Sequence, residues 1–239
     1  MKKHMSSAAL ALRMTFRPVL AVLVIWSGLQ LWSFFRSEAF WTVANYSSPM
    51  AFEDILDNHR VFFYGKVSFL MILYMTLVIP KNKACYTLRR LRISDGALTY
   101  GWGLVFSGYY LLSWALQLLL TMGMFRIYAQ AAGLEALDYF LACYRGRYLH
   151  LLMPLGEPWG YVRNAMICLG WGFMGALTGH YSRHGGKKPL LLVSLVILTA
   201  LFLPANMASQ ASDIVFCVIM GILVAVQLWL IREVERNED

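Results

Sequence analysis

Three runs of this chain contain no Asp, Glu, Lys or Arg at all: residues 18–35, 97–125 and 214–231. A helix that crosses the roughly 30 Å hydrocarbon layer of a bilayer needs about 20 mostly apolar residues. Over the whole sequence 59% of the residues are hydrophobic and 14% are charged, whereas a soluble domain has about 25% charged residues. The sequence therefore predicts an all-α membrane protein with several spans.

The apolar runs predict six transmembrane helices in a single domain that covers residues 1–239. The run 97–125 is too long for an upright helix of about 20 residues, so we expect it to tilt or to project beyond the bilayer. The predicted spans are 18–35, 61–79, 97–125, 161–179, 189–204 and 214–231.

Residues 1–17 precede the first span and differ from it in kind. Leu10, Leu12 and Phe16 are interspersed with basic residues there, a mixture typical of a helix that lies on an anionic membrane surface. We therefore expect residues 1–17 to form a separate interfacial helix that ends where Pro18 opens the first span. A disordered basic tail is the alternative.

Basic residues are divided unevenly between the two predicted sides of the membrane. If the amino terminus is cytoplasmic, 14 of the 21 Lys and Arg residues fall on the cytoplasmic side. Cytoplasmic loops of membrane proteins carry an excess of Lys and Arg. Both termini are therefore predicted to be cytoplasmic, and the net charge of +8 does not imply a nucleic-acid partner. The 14 are Lys2, Lys3, Arg13, Arg17, Lys81, Lys83, Arg89, Arg90, Arg92, Arg183, Lys187, Lys188, Arg232 and Arg236.

The segment 126–160 is too polar to span a membrane and too aromatic to be a simple linker. Tyr and Trp favour the membrane–water interface, so we expect short helices at the outer interface in this segment. His150, Glu157 and Arg163 are the polar cluster on which an intramembrane enzyme would depend.

Ionisable residues are rare in the predicted spans, whereas a reactive site within a membrane needs them. The four cysteines show no metal-type spacing. His180 and His184 are four residues apart, but no third ligand is nearby and Gly185 and Gly186 end any helix there. The Walker spacing for ATP is absent. We therefore expect no catalytic group, metal or cofactor on this chain itself.

Glycines cluster in the fourth predicted span, where Gly172, Gly175 and Gly179 follow one another closely and the last two form GxxxG. Small residues allow the backbones of two membrane helices to approach each other. The three glycines therefore predict a tightly packed helix, whose partner is in this chain or in a second subunit.

The most basic connection is the cytoplasmic segment 81–95, "KNKACYTLRRLRISD", between the second and third spans. If it is helical, Leu88 and Leu91 lie at i and i+3 on one face, with arginines on the flanks. An apolar ridge with a basic rim suits a groove with an acidic edge. A topology signal alone would need the cations but not the leucines.

The run "TLRRLRIS" before the third span resembles the "TLxxLPxS" run of ABC-2 type transporter permeases, with Arg92 where that family often has Pro or Gly. The order of spans is similar as well. The family has an N-terminal elbow helix, six spans and a cytosolic coupling helix that docks on a separate ATPase subunit. The resemblance thus assigns ATPase docking to Tyr86, Thr87, Leu88, Arg89, Arg90, Leu91, Arg92 and Ile93.

This resemblance implies the membrane-spanning subunit of an ABC transporter, an exporter in a bacterial cell membrane. ATP and Mg²⁺ would be bound by the partner ATPase, and a second permease subunit would complete a homodimer or heterodimer in the lipid. Uncharged spans favour an amphipathic or apolar cargo, although export and import are not distinguished. The alternatives are an intramembrane enzyme and a membrane anchor or sensor that transports nothing.

Overall fold

The computed structural model describes residues 2–36, 52, 56, 67–83, 94–133, 138–145, 147–183, 189–202 and 210–236. Each regular element formed by these residues is an α-helix. In chain order the helices are α1 (Lys2–Arg36), α2 (Val67–Lys83), α3 (Asp95–Ala132), α4 (Asp138–Arg145), α5 (Arg147–Leu152), α6 (Pro158–Arg183), α7 (Pro189–Phe202) and α8 (Gln210–Arg236).

Three of these helices are long and apolar enough to cross a membrane, judged by length and composition: Ala8–Arg36, Asp95–Ala132 and Gln210–Glu233. Shorter apolar helices cover Phe69–Ile79 and Leu190–Leu201. The all-helical membrane class predicted from the sequence agrees with these findings, and the count of six spans stays a prediction.

Helix α1 corrects the predicted division of the amino-terminal region. It runs from Lys2 to Arg36 without a break, and Pro18 lies inside it rather than at its start. Ala11, Thr15 and Val19 are buried one turn apart, so one face of the helix packs continuously across the proline. Residues before Pro18 therefore pack into the same bundle as those after it.

Helix α3 is the longest element, with 38 residues, or about 57 Å at 1.5 Å per residue. Its first turn is fixed by Ser94, whose side chain accepts a hydrogen bond from the Ala97 N–H. Asp95 in the same turn complements the positive end of the helix dipole. The helix ends at Gly133, whose left-handed φ of 68° costs glycine least. α3 thus begins two residues before the predicted span 97–125 and ends seven residues after it.

Helix α6 lies at the centre of the bundle, where it packs against α2, α3, α7 and α8. Trp171 illustrates this position, because its ring lies 6.1 Å from Tyr74 of α2 and 6.3 Å from Tyr110 of α3. Its indole N–H also donates to the Thr199 hydroxyl of α7 at 3.2 Å. A helix surrounded by protein can carry glycines and polar residues that a lipid-facing helix cannot.

The contacts of α6 fix how its neighbours run. As the residue number on α3 increases, the number of the contacting residue on α6 decreases, so α3 and α6 are antiparallel. The three contacts are Asp95 with His180, Tyr100 with Phe173, and Trp114 with Tyr161. α8 runs parallel to α6, because Arg163 meets Asp213 and, further along both helices, Met174 meets Gln227.

Helix α1 runs parallel to α3, since Thr15 contacts Tyr109 and Gln30 contacts Gln117. We call the end of the bundle where α1 and α3 begin and α6 and α8 end the basic end, and the other the cap end. Of the basic residues that the sequence assigns to the cytoplasm, Arg232 and Arg236 lie near the end of α8, at the basic end, whereas Arg13 and Arg17 lie inside α1.

The type of side chain exposed on the bundle changes along its axis. On α8 the exposed residues Val215, Val218, Ile219, Ile222 and Val226 form an aliphatic stripe. Exposed Trp and Tyr instead lie near the helix ends, as expected at the two interfaces of a bilayer. Among the described residues these are Trp32, Tyr100, Tyr144, Trp159, Tyr161 and Trp229.

At the cap end a second apolar cluster forms beyond the main core. Phe125 and Tyr128 of α3 pack around Phe52, with ring centroids 5.1 and 5.5 Å away. Cys143 of α4 and Leu149 of α5 belong to the same cluster. The last turns of α3 and the short helices α4 and α5 therefore share an apolar cluster, to which Phe34 of α1 also belongs. α4 and α5 lie in the segment 126–160 that was predicted to lie at the outer interface.

Replacing Gly172 by Ala tests the close packing of α3 and α6. A Cβ atom at Gly172 would lie 2.7 Å from the Cα atom of Ser107, a backbone atom that cannot move aside. We expect Gly172→Ala to destabilise the protein by about 1–3 kcal/mol, measured as a lower melting temperature of the detergent-solubilised chain.

Gly108→Ala is the matched control, because a Cβ atom there meets nothing within 4 Å. Its melting temperature should equal or exceed that of the unmodified protein, since alanine is favoured over glycine in a helix by about 0.5–1 kcal/mol. Equal effects of the two substitutions would contradict the packing argument.

Candidate functional site

The residues predicted to dock an ATPase, Tyr86 to Ile93, lie outside the described residues. The helices on either side of them are described. α2 ends at Lys83 and α3 begins at Asp95, so the segment joins these two helices at the basic end. The docking role therefore stays a prediction, but its attachment to the bundle is defined.

At the basic end a histidine of α6 lies beside an acidic residue of α3. His180 Nδ1 lies 3.8 Å from Asp95 Oδ2, and the His180 side chain is 6% exposed. Two residues before His180 on α6, Thr178 accepts a hydrogen bond from the Tyr74 hydroxyl of α2 at 2.8 Å. The middle of α2, through Tyr74, and the first turn of α3, through Asp95, thus both contact the last two turns of α6.

The glycines predicted to serve helix packing are all buried in α6. Gly172 faces the backbone of Ser107, and a Cβ atom at Gly175 would lie 3.0 Å from the Phe106 ring. Both neighbours belong to α3. Two of the three predicted positions therefore pack within this chain, where Gly103 of α3 likewise lies against Phe173 of α6.

A buried ion pair links α6 to α8 at the cap end. Arg163 Nη1 lies 2.6 Å from Asp213 Oδ1, and the two side chains are 8% and 6% exposed. Arg163 also donates through Nη2 to the Leu151 carbonyl at 3.2 Å, and Asn164 donates to the same oxygen at 3.0 Å. One guanidinium therefore holds together the start of α6, the start of α8 and the end of α5.

His150 and Glu157 form a second, more exposed pair at the same end. His150 Nε2 lies 3.3 Å from Glu157 Oε2, and the Glu157 side chain is one-third exposed, at 33%. The structure thus brings His150, Glu157 and Arg163 into one region, as an enzyme would require. Arg163, however, directs its hydrogen bonds to Asp213, Leu151 and Asn164, so its geometry is that of a helix clasp.

Metal binding has no support in the described part of the chain, where no group of three or more His, Cys, Asp or Glu side chains comes together. Cys143, Cys168 and Cys217 are buried thiols outside any disulfide. His180 meets Asp95 and Tyr181, while His184 lies outside the described residues.

The sequence did not identify Asp213 as the partner of Arg163 or Asp95 as the neighbour of His180. Asp213 and Asp95 each stand next to an uncharged run, and a lone acid at the edge of a span was the available signal, because such residues are costly unless paired. Their partners, Arg163 and His180, are separated from them by 50 and 85 positions. That pairing depends on the tertiary structure.

Asp213→Asn tests the clasp between α6 and α8. It leaves the Arg163 charge buried without a counter-charge, which costs about 3–5 kcal/mol, so we expect a large fall in melting temperature and in the yield of monodisperse protein. Arg163→Met combined with Asp213→Leu should recover part of the loss, because it removes both charges.

Glu157→Gln is the control for a pair that solvent screens, with an expected cost below about 1 kcal/mol. If Asp213→Asn were as mild as Glu157→Gln, the Arg163–Asp213 pair would not be a structural clasp.

Comparison with protein-family models, with curated proteins and with solved structures finds no match for this chain.

Proposed function

We propose that this chain is the membrane-spanning subunit of an ABC transporter, an exporter driven by a separate ATPase subunit. ATP and Mg²⁺ are bound by that partner, and a second permease subunit, identical or related, completes the pathway across a bacterial cell membrane. The chain crosses the membrane several times with both termini in the cytoplasm. The cargo class is amphipathic or apolar, because the spans offer few charged groups.

The observation that supports this proposal best is the attachment of the segment 84–93. It joins α2 to α3; α2 is hydrogen-bonded to the last turns of α6 through Tyr74–Thr178, and the start of α3 contacts them where Asp95 lies 3.8 Å from His180. A movement imposed on this segment would therefore be passed to three helices together.

The chemistry of the segment suits a cytosolic protein partner. Leu88 and Leu91 offer an apolar ridge if the segment is helical, and Arg89, Arg90 and Arg92 surround it. Such a ridge fits a groove with an acidic edge, where charge aligns the partners and apolar burial supplies affinity. The other basic connection, which contains Lys187 and Lys188, leaves α6 at the same end.

The bundle can transmit such a movement because its helices are tightly joined. Gly172 and Gly175 bring α6 against α3, and closely packed helices move as rigid bodies. ATP-driven movement of the docked partner would tilt α2, α3 and α6 relative to the second subunit, and cargo would pass between the two permease chains.

Labelling of Cys85 tests the orientation. Cys143, Cys168 and Cys217 are buried, so Cys85, in the docking segment by sequence, is the natural target for a membrane-impermeant maleimide. We expect labelling in sealed inside-out vesicles and protection in right-side-out vesicles, read by mass spectrometry. Cys85→Ser should abolish the label, and modification of Cys85 from outside would contradict the cytoplasmic assignment.

Co-purification tests docking. The proposal requires an ABC ATPase with a Walker A and a signature motif, expected in an adjacent reading frame, and predicts that it co-purifies with this chain in detergent. Leu88→Asp combined with Leu91→Asp should reduce recovery of the ATPase at least tenfold, because two carboxylates replace the apolar ridge and each buried charge is costly.

The matched control is Lys187→Gln combined with Lys188→Gln, which lowers the net charge by the same amount in the other basic connection. It should leave the complex largely intact. Survival of the complex in the leucine double variant would exclude docking through the ridge, and absence of any such ATPase partner would remove the proposed function.

A further inference from the structure

Two buried N–H groups lack a hydrogen-bond acceptor where α1, α2 and α3 meet. They are Nε1 of Trp26 on α1 and Nε2 of Gln117 on α3, and neither has a partner among the described residues. Gln117 is 4% exposed, and the Trp26 nitrogen is itself shielded from solvent. An unsatisfied polar group within a bilayer costs several kcal/mol, so these groups call for an acceptor.

The two groups belong to one small region of the bundle. Gln117 accepts a hydrogen bond from Gln30 at 3.0 Å, and Trp26 precedes Gln30 by one helical turn on the same face of α1. The Trp26 ring contacts Phe69 of α2 at 4.8 Å. Tyr110 of α3 donates to the carbonyl of the next α2 residue, Leu70, at 3.1 Å, so all three helices meet there.

A third polar group completes the surroundings. Ser113 is buried and lies one turn before Gln117 on the same face of α3. Its hydroxyl donates to the Tyr110 carbonyl at 2.7 Å, which leaves oxygen lone pairs able to accept. Buried water in proteins typically makes about three hydrogen bonds. The N–H groups of Trp26 and Gln117 and the hydroxyl oxygen of Ser113 could together make three hydrogen bonds to one water molecule.

We propose that the junction of α1, α2 and α3 binds a small neutral hydrogen-bond acceptor, held by the indole N–H of Trp26 and the carboxamide of Gln117. An anion is disfavoured, because no cationic side chain belongs to the described residues named at this junction and a lone charge is expensive within a bilayer. The acceptor oxygen is supplied by water or by the ester carbonyl of a lipid. The inference is independent of transport.

Magnetic resonance of the indole group tests the proposal directly. The purified full chain is labelled with ¹⁵N-tryptophan in perdeuterated detergent, with and without added phospholipid, and Trp26→Phe assigns the Trp26 indole resonance. We expect a nuclear Overhauser cross-peak from this proton to water, which identifies water as the acceptor. A cross-peak to the methylene beside the lipid ester, present only with lipid, identifies the carbonyl.

Trp114 is the internal control, because its indole N–H already donates to the Leu152 carbonyl at 2.9 Å and should show neither cross-peak. Gln117→Met should weaken the Trp26 cross-peak at least twofold, since it removes one of the two anchors. A Trp26 proton without a cross-peak to water or lipid would overturn the proposal, as would a cross-peak that Gln117→Met leaves unchanged.

Discussion

The close approach of α6 to α3 is the constraint on which the rest of the bundle depends. Gly172 of α6 lies against the backbone of Ser107, and Gly103 of α3 lies against the Phe173 ring of α6. Each helix therefore has a glycine, without a side chain, at the point where the other helix comes closest. In a membrane the hydrophobic effect does not drive helices together, because lipid tails are as apolar as the side chains, so helices associate through packing and hydrogen bonds. Once α3 and α6 are joined, α6 presents its remaining faces to α2, α7 and α8.

Polar groups in this bundle mark the joints between helices. Arg163 and Asp213 join α6 to α8 at the cap end, and Asp95 and His180 join α3 to α6 at the basic end. Between them Gln30 meets Gln117. Because the bilayer supplies no hydrogen-bonding solvent, a polar group within it is costly unless the protein or another molecule supplies its partner. The same reasoning connects the structural clasp at Arg163 with the inferred site at Trp26.

Much of the helical framework could be predicted from the sequence, because the length of an uncharged run is a local property. The helices α3, α7 and α8 enclose most or all of the predicted spans 97–125, 189–204 and 214–231. The boundary at Pro18 was wrong, since a proline permits a helix to start but does not require it, and the buried Thr15 face carries α1 through it. Gly172 and Gly175 were found by their spacing, whereas Asp213 was missed because its partner is distant in sequence.

By itself the sequence determined that the chain is helical and that several of its helices are long and apolar enough to cross a membrane. Those properties follow from the composition of short stretches of chain, because the length and hydrophobicity of a stretch decide whether it can cross a bilayer. Only the tertiary structure decided which helix is central, which glycines meet a backbone and which acid neutralises Arg163. Such decisions depend on contacts between residues far apart in the chain, and a helix face acquires its neighbour only when the whole bundle packs.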